Sequence, residues 1–402
     1  MMKKWFGGLA AAMTLSMMCF SPVQAEEESL QVGKHMTKKV EVQEKVLPVS
    51  MARFAFDSGY EFEYPDAVRG IYVTAHSVGG ERFERLINLL DSTDLNSMVI
   101  DIKDDHGYLT YIPEEGSPYM DIAQPYIGDT EEMMKKLEEK KIYPIGRIVV
   151  FKDSVLAEKR PDLSFVENGQ VWKNGRGESF VNPFMKEVWD YNVNIAIEAA
   201  KMGFQEIQFD YVRYPEGFEN RDTTLQYGYG DYKDLDLDNV QKRVEAVTNF
   251  VEYAREKLEP YNVQVSVDIF GYTATLPEAP GIGQNFSRIS EHVDVISSMI
   301  YPSHWTSYFG VAKPDTEPYK IIAEYAKFEN AKLDELEERP VSRPWIQDFT
   351  ATWLGAGNYI PYGKQQVEDQ IRALNENGID EFLLWNAGNT YTEGVNFKPL
   401  GE

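Results

Sequence analysis

The chain has 402 residues, 65 acidic against 40 basic side chains, a formal net charge of −25 and a single Cys. A surface this acidic repels a phosphate backbone and excludes nucleic acid as a partner. Hydrophobic residues make up 43% and aromatics 13%, which excludes a disordered chain, and one Cys excludes both a disulfide framework and a Cys-based zinc site.

Residues 1–25 read as a secretory signal peptide. Lys3 and Lys4 precede an uncharged apolar run from Trp5 to Phe20, and Val23-Gln24-Ala25 offers a cleavage site. The run is shorter than the roughly 20 apolar residues a membrane span needs, and no later segment is long and apolar enough. The expectation is a secreted or extracytoplasmic monomer with no membrane span after signal cleavage, attached at most to the cell surface. Cys19 leaves with the signal. Residues 26–66 are polar and mixed in charge without a sustained period, and read as a spacer or extended arm. Residues 67–402 read as one domain.

From Val68 onward, short β-branched runs alternate with amphipathic helical stretches. The first strand candidate is Gly70–Thr74, followed by a helical stripe of Phe83, Leu86, Ile87 and Leu90 at i, i+3, i+4, i+7. Ser97–Ile102 and Pro144–Val150 come next; both are apolar on two faces, as parallel strands covered on both sides are. Asn182-Pro183 predicts a helix start, and Gly203 predicts its end after Met202. Glu206–Tyr211 is the fourth strand. Val240, Val244, Val247, Val251, Ala254 and Leu258 then form a second stripe. Gln264–Phe270, Val293–Ile300 and Pro344–Gln347 follow. A third stripe of Val367, Ile371 and Leu374 precedes the eighth strand, Glu381–Trp385. Eight strands alternating with helices predict an α/β fold, a (β/α)₈ TIM barrel with long βα loops.

Such barrels carry their chemistry at the carboxyl ends of the strands. Acids end several strands: Asp101 on the second, with Lys103 beside it, Asp210 on the fourth, Asp268 on the fifth and Asp348 on the seventh. Ion pairing with Lys103 is the plainer reading for Asp101 and Asp104, and a helix N-cap or a loop bridge for Asp348. Like charges and burial in a barrel mouth raise carboxyl pKa values. Hydrolysis of a glycosidic bond needs two carboxyls whose pKa values are driven apart, one ionised and one holding a proton. Asp210, Asp268 and Asp348 are therefore the candidate catalytic residues. Arg147 and Arg213 are placed to hold one acid ionised. Tyr72, Asp101, Lys103, Arg147, Arg213, Tyr301, His304, Trp305, Gln347, Trp385 and Asn386 are candidates for substrate contact. Further loop aromatics, among them Tyr214, Tyr227, Tyr229 and Trp353, suit pyranose faces.

Four strings carry a resemblance: Arg69-Gly70-Ile71-Tyr72-Val73-Thr74, Val99-Ile100-Asp101-Ile102-Lys103-Asp104, the run from Gly203 through Asp210-Tyr211-Val212-Arg213-Tyr214-Pro215, and Met299-Ile300-Tyr301-Pro302-Ser303-His304-Trp305. Together they resemble the glycosyl hydrolase family filed as DUF4015, itself similar to the α-amylase-like barrels. The resemblance covers roughly Val68 to Gly394. It implies a nucleophile on the fourth strand, which falls on Asp210. Where the amylase-like acid is a Glu on the fifth strand, this chain has Asp268, and Gln208 stands where that family has an Arg two residues before the nucleophile.

Other motifs point elsewhere. Asp234, Asp236, Asp238 and Glu245 match four positions of an EF-hand loop, but Asn239 replaces its Gly, and an acidic helix start explains them. His76, His106 and His304 with Asp101 are the residues a metal-dependent deacetylase would use. Phosphate-loop and dinucleotide fingerprints are absent from the sequence, so no cofactor and no metal is expected. The expected function is a secreted glycoside hydrolase acting on a poly- or oligosaccharide. The alternatives are a non-catalytic carbohydrate-binding barrel at the cell surface and the metal-dependent deacetylase.

Overall fold

A computed structural model describes residues 56–398 of the chain. The predicted signal peptide and most of the predicted arm therefore lie outside the described residues. Eight parallel strands form the frame: β1 (Arg69–Val73), β2 (Ser97–Lys103), β3 (Tyr143–Val149), β4 (Glu206–Asp210), β5 (Gln264–Phe270), β6 (Val295–Met299), β7 (Trp345–Gln347) and β8 (Phe382–Trp385). Neighbours pair in chain order, and β8 pairs with β1, as Arg69 with Phe382. β6 reaches β7 through Trp345 opposite Met299, and through the short stretch Val341–Ser342 before it. The ring is closed, which leaves no sheet edge to protect. This is the TIM barrel the alternation predicts.

The helices are α1 (Gly80–Asp91), α2 (Thr130–Glu139), α3 (Ser154–Lys159), α4 (Lys186–Met202), α5 (Asn239–Leu258), the single turn α6 (Phe286–Ser290), α7 (Pro318–Leu333) and α8 (Lys364–Asn375). Each of the three predicted stripes faces the barrel: Phe83 to Leu90 are buried on α1, Val244 to Leu258 on α5, and Val367, Ile371 and Leu374 on α8. Only Val240 of these is left half-buried. Strands β1 to β4 are buried along their whole length, as strands with an inner core on one face and helices on the other must be.

One helix start differs from its prediction. α4 begins at Lys186, not at Pro183, and its N-cap Met185 makes no side-chain bond. Asn182 spends its side chain otherwise: Oδ1 accepts from Phe184 N–H at 3.1 Å, and Nδ2 donates to Gly228 O at 2.7 Å. It ties two loops together instead of capping. The predicted end holds, with Gly203 at φ +110°. Asp238 caps α5 through Gln241 N–H at 2.8 Å, and Glu245 pairs with Arg288 at 3.0 Å, so these two acids of the EF-hand-like run have structural partners.

The barrel interior is a separate packed layer. Val68, Tyr72, Val99, Tyr143, Ile145, Tyr301, Trp345 and Leu383 form one apolar cluster within the ring. Bulky rings here demand small neighbours. A Cβ on Gly70 would lie 2.6 Å from Leu383, so that position admits only glycine without rearrangement.

Below this cluster, at the amino ends of the strands, lies a buried ion group. Arg343 Nη1 donates to both oxygens of Glu206 at 2.7 and 2.8 Å, and Nε donates to Glu381 at 2.7 Å. Tyr64 accepts from Arg343 Nη2 at 2.8 Å and donates to Glu381 at 2.9 Å. The described end of the arm thus packs against the barrel floor, with Phe56 N–H bonded to Pro260 O at 2.9 Å. Removing one partner of such a group strands the others without water. Arg343→Ala is predicted to lower unfolding stability by about 3–5 kcal/mol. Urea denaturation measures it, and a loss below about 1 kcal/mol would contradict the burial of these charges.

Candidate active site

At the opposite end, one guanidinium organises the mouth. Arg147 on β3 is buried, and Asp101 lies directly across on β2. Its Nη1 donates to Asp101 Oδ1 at 2.6 Å. Nε and Nη2 both donate to Asp210 Oδ2, at 3.0 and 2.6 Å, and Nη2 reaches Asp105 at 3.2 Å. Three acids share one fixed cation, so they cannot all be equally compensated. Asp101 absorbs part of the excess. Burial, and then the charge of Asp105, outweigh Arg147 and push its carboxyl up to about 6. Tyr72 on β1 donates its hydroxyl to the other Asp101 oxygen at 2.6 Å.

Asp268 on β5 has a different environment. It is buried, and the indole N–H of Trp345 donates to its Oδ1 at 2.8 Å. Burial first, and the nearby Asp210 charge second, raise its pKa well above the usual carboxyl range. Asp210 and Asp268 thus lie on adjacent strands in contrasting surroundings. One rests on a guanidinium; the other is buried without a salt-bridge partner among the described residues and held against an indole. The chain turns sharply after Asp210. Tyr211 adopts φ +53°, uncommon for a bulky residue, and its N–H bonds Asp210 Oδ1 at 2.5 Å. Lys152 donates to the Tyr211 hydroxyl at 3.1 Å and pairs with Glu178 at 3.1 Å, which fixes the ring beside the mouth.

These groups open into a cavity of about 830 Å³, within the range of small-molecule sites. Of the residues singled out in the sequence, Arg147, Asp210, Arg213, Asp268, Tyr301, His304, Trp305 and Trp385 line it. Arg213 is held between the rings of Phe270 and Tyr211, 4.5 and 4.8 Å from their centroids. Trp385 stacks on Tyr72 at 4.1 Å. His304 is bonded to Ser303 at 3.0 Å, and burial lowers its pKa. Tyr72 and Asp101 stand behind Arg147 and are not part of the lining.

Four further sequence candidates lie outside the lining, each for a definite reason. Lys103 should share a face with Asp101, two residues away. The register shifts between them, which turns Lys103 outward. It pairs there with Asp153 at 2.6 Å and donates to Val149 O at 2.8 Å. Neither Asp101 nor Asp104 is its partner; Asp104 instead accepts from the N–H groups of His106, Gly107 and Tyr108. Asp348 has both oxygens occupied by Thr392, at 2.9 Å from N–H and 2.6 Å from the hydroxyl. Asn386 donates to Asp348 O at 2.6 Å and Thr390 O at 2.7 Å. Gln347 bonds Asp315 at 2.9 Å and accepts from Ser303 N–H at 3.0 Å. All three bind loops to the frame.

Sequence reasoning missed Asp105, Trp345, Lys152 and Glu178. Trp345 was legible in principle, because a Trp on a buried strand needs a partner for its N–H. Asp105 ends a run of acids and gives no signal of which one turns inward. Lys152 and Glu178 sit on the long loop after β3, where no period applies. Among the described residues, no cluster of His, Cys, Asp and Glu has a geometry that would hold a metal ion, and no helix is long and apolar enough to cross a membrane.

Residues 70–391 match the family DUF4015, described as "Putative glycosyl hydrolase domain". The chain belongs to this family. In fold it is similar to the glycoside hydrolase domain of PgaB (BpsB) from Bordetella bronchiseptica, at 16% identity, TM-score 0.54, over 80% of this chain and 95% of that one. It is also similar to a β-galactosidase from the psychrophilic Marinomonas ef1, at 12% identity, TM-score 0.52, over 79% of this chain and 54% of that one. A hypothetical protein from Ruminiclostridium thermocellum shares 32% identity, TM-score 0.42, over 49% of this chain and 96% of that one. No curated protein sequence matches the chain. At these identities the two hydrolase structures establish the barrel fold alone.

Because Thr392 takes both oxygens of Asp348, Asp348→Ala is predicted to lower stability by about 1–3 kcal/mol and to leave ligand affinity and turnover in the cavity unchanged. Parallel denaturation and binding measurements check this. A selective loss of turnover at full stability would contradict it.

Proposed function

We propose that this protein is a glycoside hydrolase acting on a poly- or oligosaccharide outside the cytoplasm. The observation that carries the reading is the contrast between Asp210 and Asp268. Neighbouring carboxyls in unlike surroundings are what acid–base cleavage of a glycosidic bond requires. Asp268, buried and with a raised pKa, keeps its proton and gives it to the leaving oxygen as the C–O bond breaks. Asp210, ion-paired to Arg147, attacks the anomeric carbon from the other side. Water then cleaves that ester, with Asp268, now ionised, taking its proton. Arg147, Tyr301 and Trp385 shape the sugar site, and Arg213, His304 and Trp305 contact hydroxyls and ring faces. The fold supports this reading because barrel enzymes carry their chemistry at this end. The apolar run at the amino terminus, with its cleavage site, supports export. No cofactor takes part in these steps, and a single copy of the chain suffices.

A screen on a broad glycan panel tests the reading. Wild type should release product, and Asp210→Asn, with its fold intact by circular dichroism, should lose at least about a thousandfold. Unchanged turnover in Asp210→Asn would sink the assignment; binding with no product from any glycan would favour a non-catalytic barrel. The pH profile carries a second prediction. Asp268 acts only while protonated, so activity should persist into neutral pH and fall as pH rises through its raised pKa. The Trp345 N–H favours the ionised form of Asp268. Trp345→Phe should therefore move the alkaline limb to higher pH, and a downward shift would contradict the contact.

A further inference from the structure

The cavity's aromatic wall continues past its lining. Trp385 meets Tyr301 with ring centroids 6.3 Å apart, and Tyr301 meets His304 at 5.2 Å. His304 then meets Trp353 edge-on at 6.3 Å. Trp353 lies on the loop after β7 and is 63% exposed, the most exposed large hydrophobic side chain described. Its open face continues the row of rings that begins in the cavity, and an indole offers a flat apolar face with a polar N–H tip.

Trp353 is also held in place. Phe349 backs it at 5.7 Å with the rings 25° from parallel, and Phe349 packs in turn on Tyr301. The turn carrying it is closed by Leu354 N–H to Ala351 O at 3.1 Å and Gly355 N–H to Thr352 O at 3.2 Å. Gln347 joins this loop to the one bearing His304, through Phe349 O at 3.0 Å and Ser303 N–H at 3.0 Å. None of the rings on the path carries a formal charge at neutral pH, in a chain of net −25. A fixed, uncharged, open ring in line with the cavity suits the C–H face of a neutral pyranose.

We propose that Trp353 forms a distal subsite that stacks one neutral pyranose of a chain whose other end occupies the cavity. The substrate is then an oligo- or polysaccharide long enough to span the path from Trp385 to Trp353, not a small glycoside. This rests on the glycosidase reading for the cavity, and the test separates the two. Calorimetry would compare cellohexaose, maltohexaose, xylohexaose and chitohexaose with the methyl glycosides of glucose, xylose and N-acetylglucosamine. The proteins are Asp210→Asn, the same with Trp353→Ala, and the same with Trp353→Tyr. At least one hexasaccharide should bind, about tenfold more weakly with Trp353→Ala. Trp353→Tyr should recover most of that loss, and methyl glycoside binding should not change. The proposal is overturned if hexasaccharide affinity is the same with Trp353→Ala, if methyl glycoside affinity falls equally, or if none of the four hexasaccharides binds. A hexasaccharide that binds through Trp353 but is not cleaved by the wild type would defeat the glycosidase reading and leave the subsite standing.

Discussion

Arg147 is a single buried cation in contact with three carboxylates, Asp101, Asp105 and Asp210. The mouth of the barrel is arranged around that imbalance. A guanidinium can serve several acids because its five donors are fixed in a plane. It cannot neutralise them all. Each finds a second partner, Tyr72 for Asp101, Lys152 for Asp105 and the Tyr211 N–H for Asp210, and Asp101 also moves its pKa up to about 6. Asp268 lies next to this group without a cation of its own, so burial and the Asp210 charge raise its pKa well above the usual carboxyl range. The contrast between the surroundings of Asp210 and Asp268 follows from where one arginine is placed.

The frame holds this arrangement from below. The interior rings of Tyr72, Trp345 and Tyr143 fill the barrel between two charged ends. Arg343 with Glu206 and Glu381 closes the floor. Trp345 connects the levels: it packs edge-on to Trp385 and Tyr72 and donates to Asp268. Its rotamer is fixed by packing, so the Asp268 carboxyl inherits that rigidity. A site built on strands in this way needs little from the loops except contact with substrate.

The sequence made the frame legible because strand and helix periods are local. β5 is found at its predicted limits, Gln264–Phe270, and the stripes on α1, α5 and α8 face inward as read. Asp210 and Asp268 could be picked out because they end strands and so must meet at the barrel mouth. The failures share a cause. Lys103 went astray because a shift of register is invisible to a period of two. Asp348, Gln347 and Asn386 looked available because their loop partners, Thr392, Asp315 and Thr390, are remote in sequence or carry no pattern. Asp105 and Lys152 entered the site through long-range ion pairs that no local rule predicts.

The central claim is that Asp268 holds its proton where ordinary carboxyls have lost theirs. Carbon-13 NMR titration of labelled Asp side chains tests it directly, with Asp268→Asn and Asp210→Asn giving the assignments. The account predicts that at about pH 6, roughly two units above an ordinary Asp pKa, the resonance missing in Asp268→Asn is still that of a protonated carboxyl. Ionisation of Asp268 together with the exposed carboxyls, near pH ~4, would contradict it.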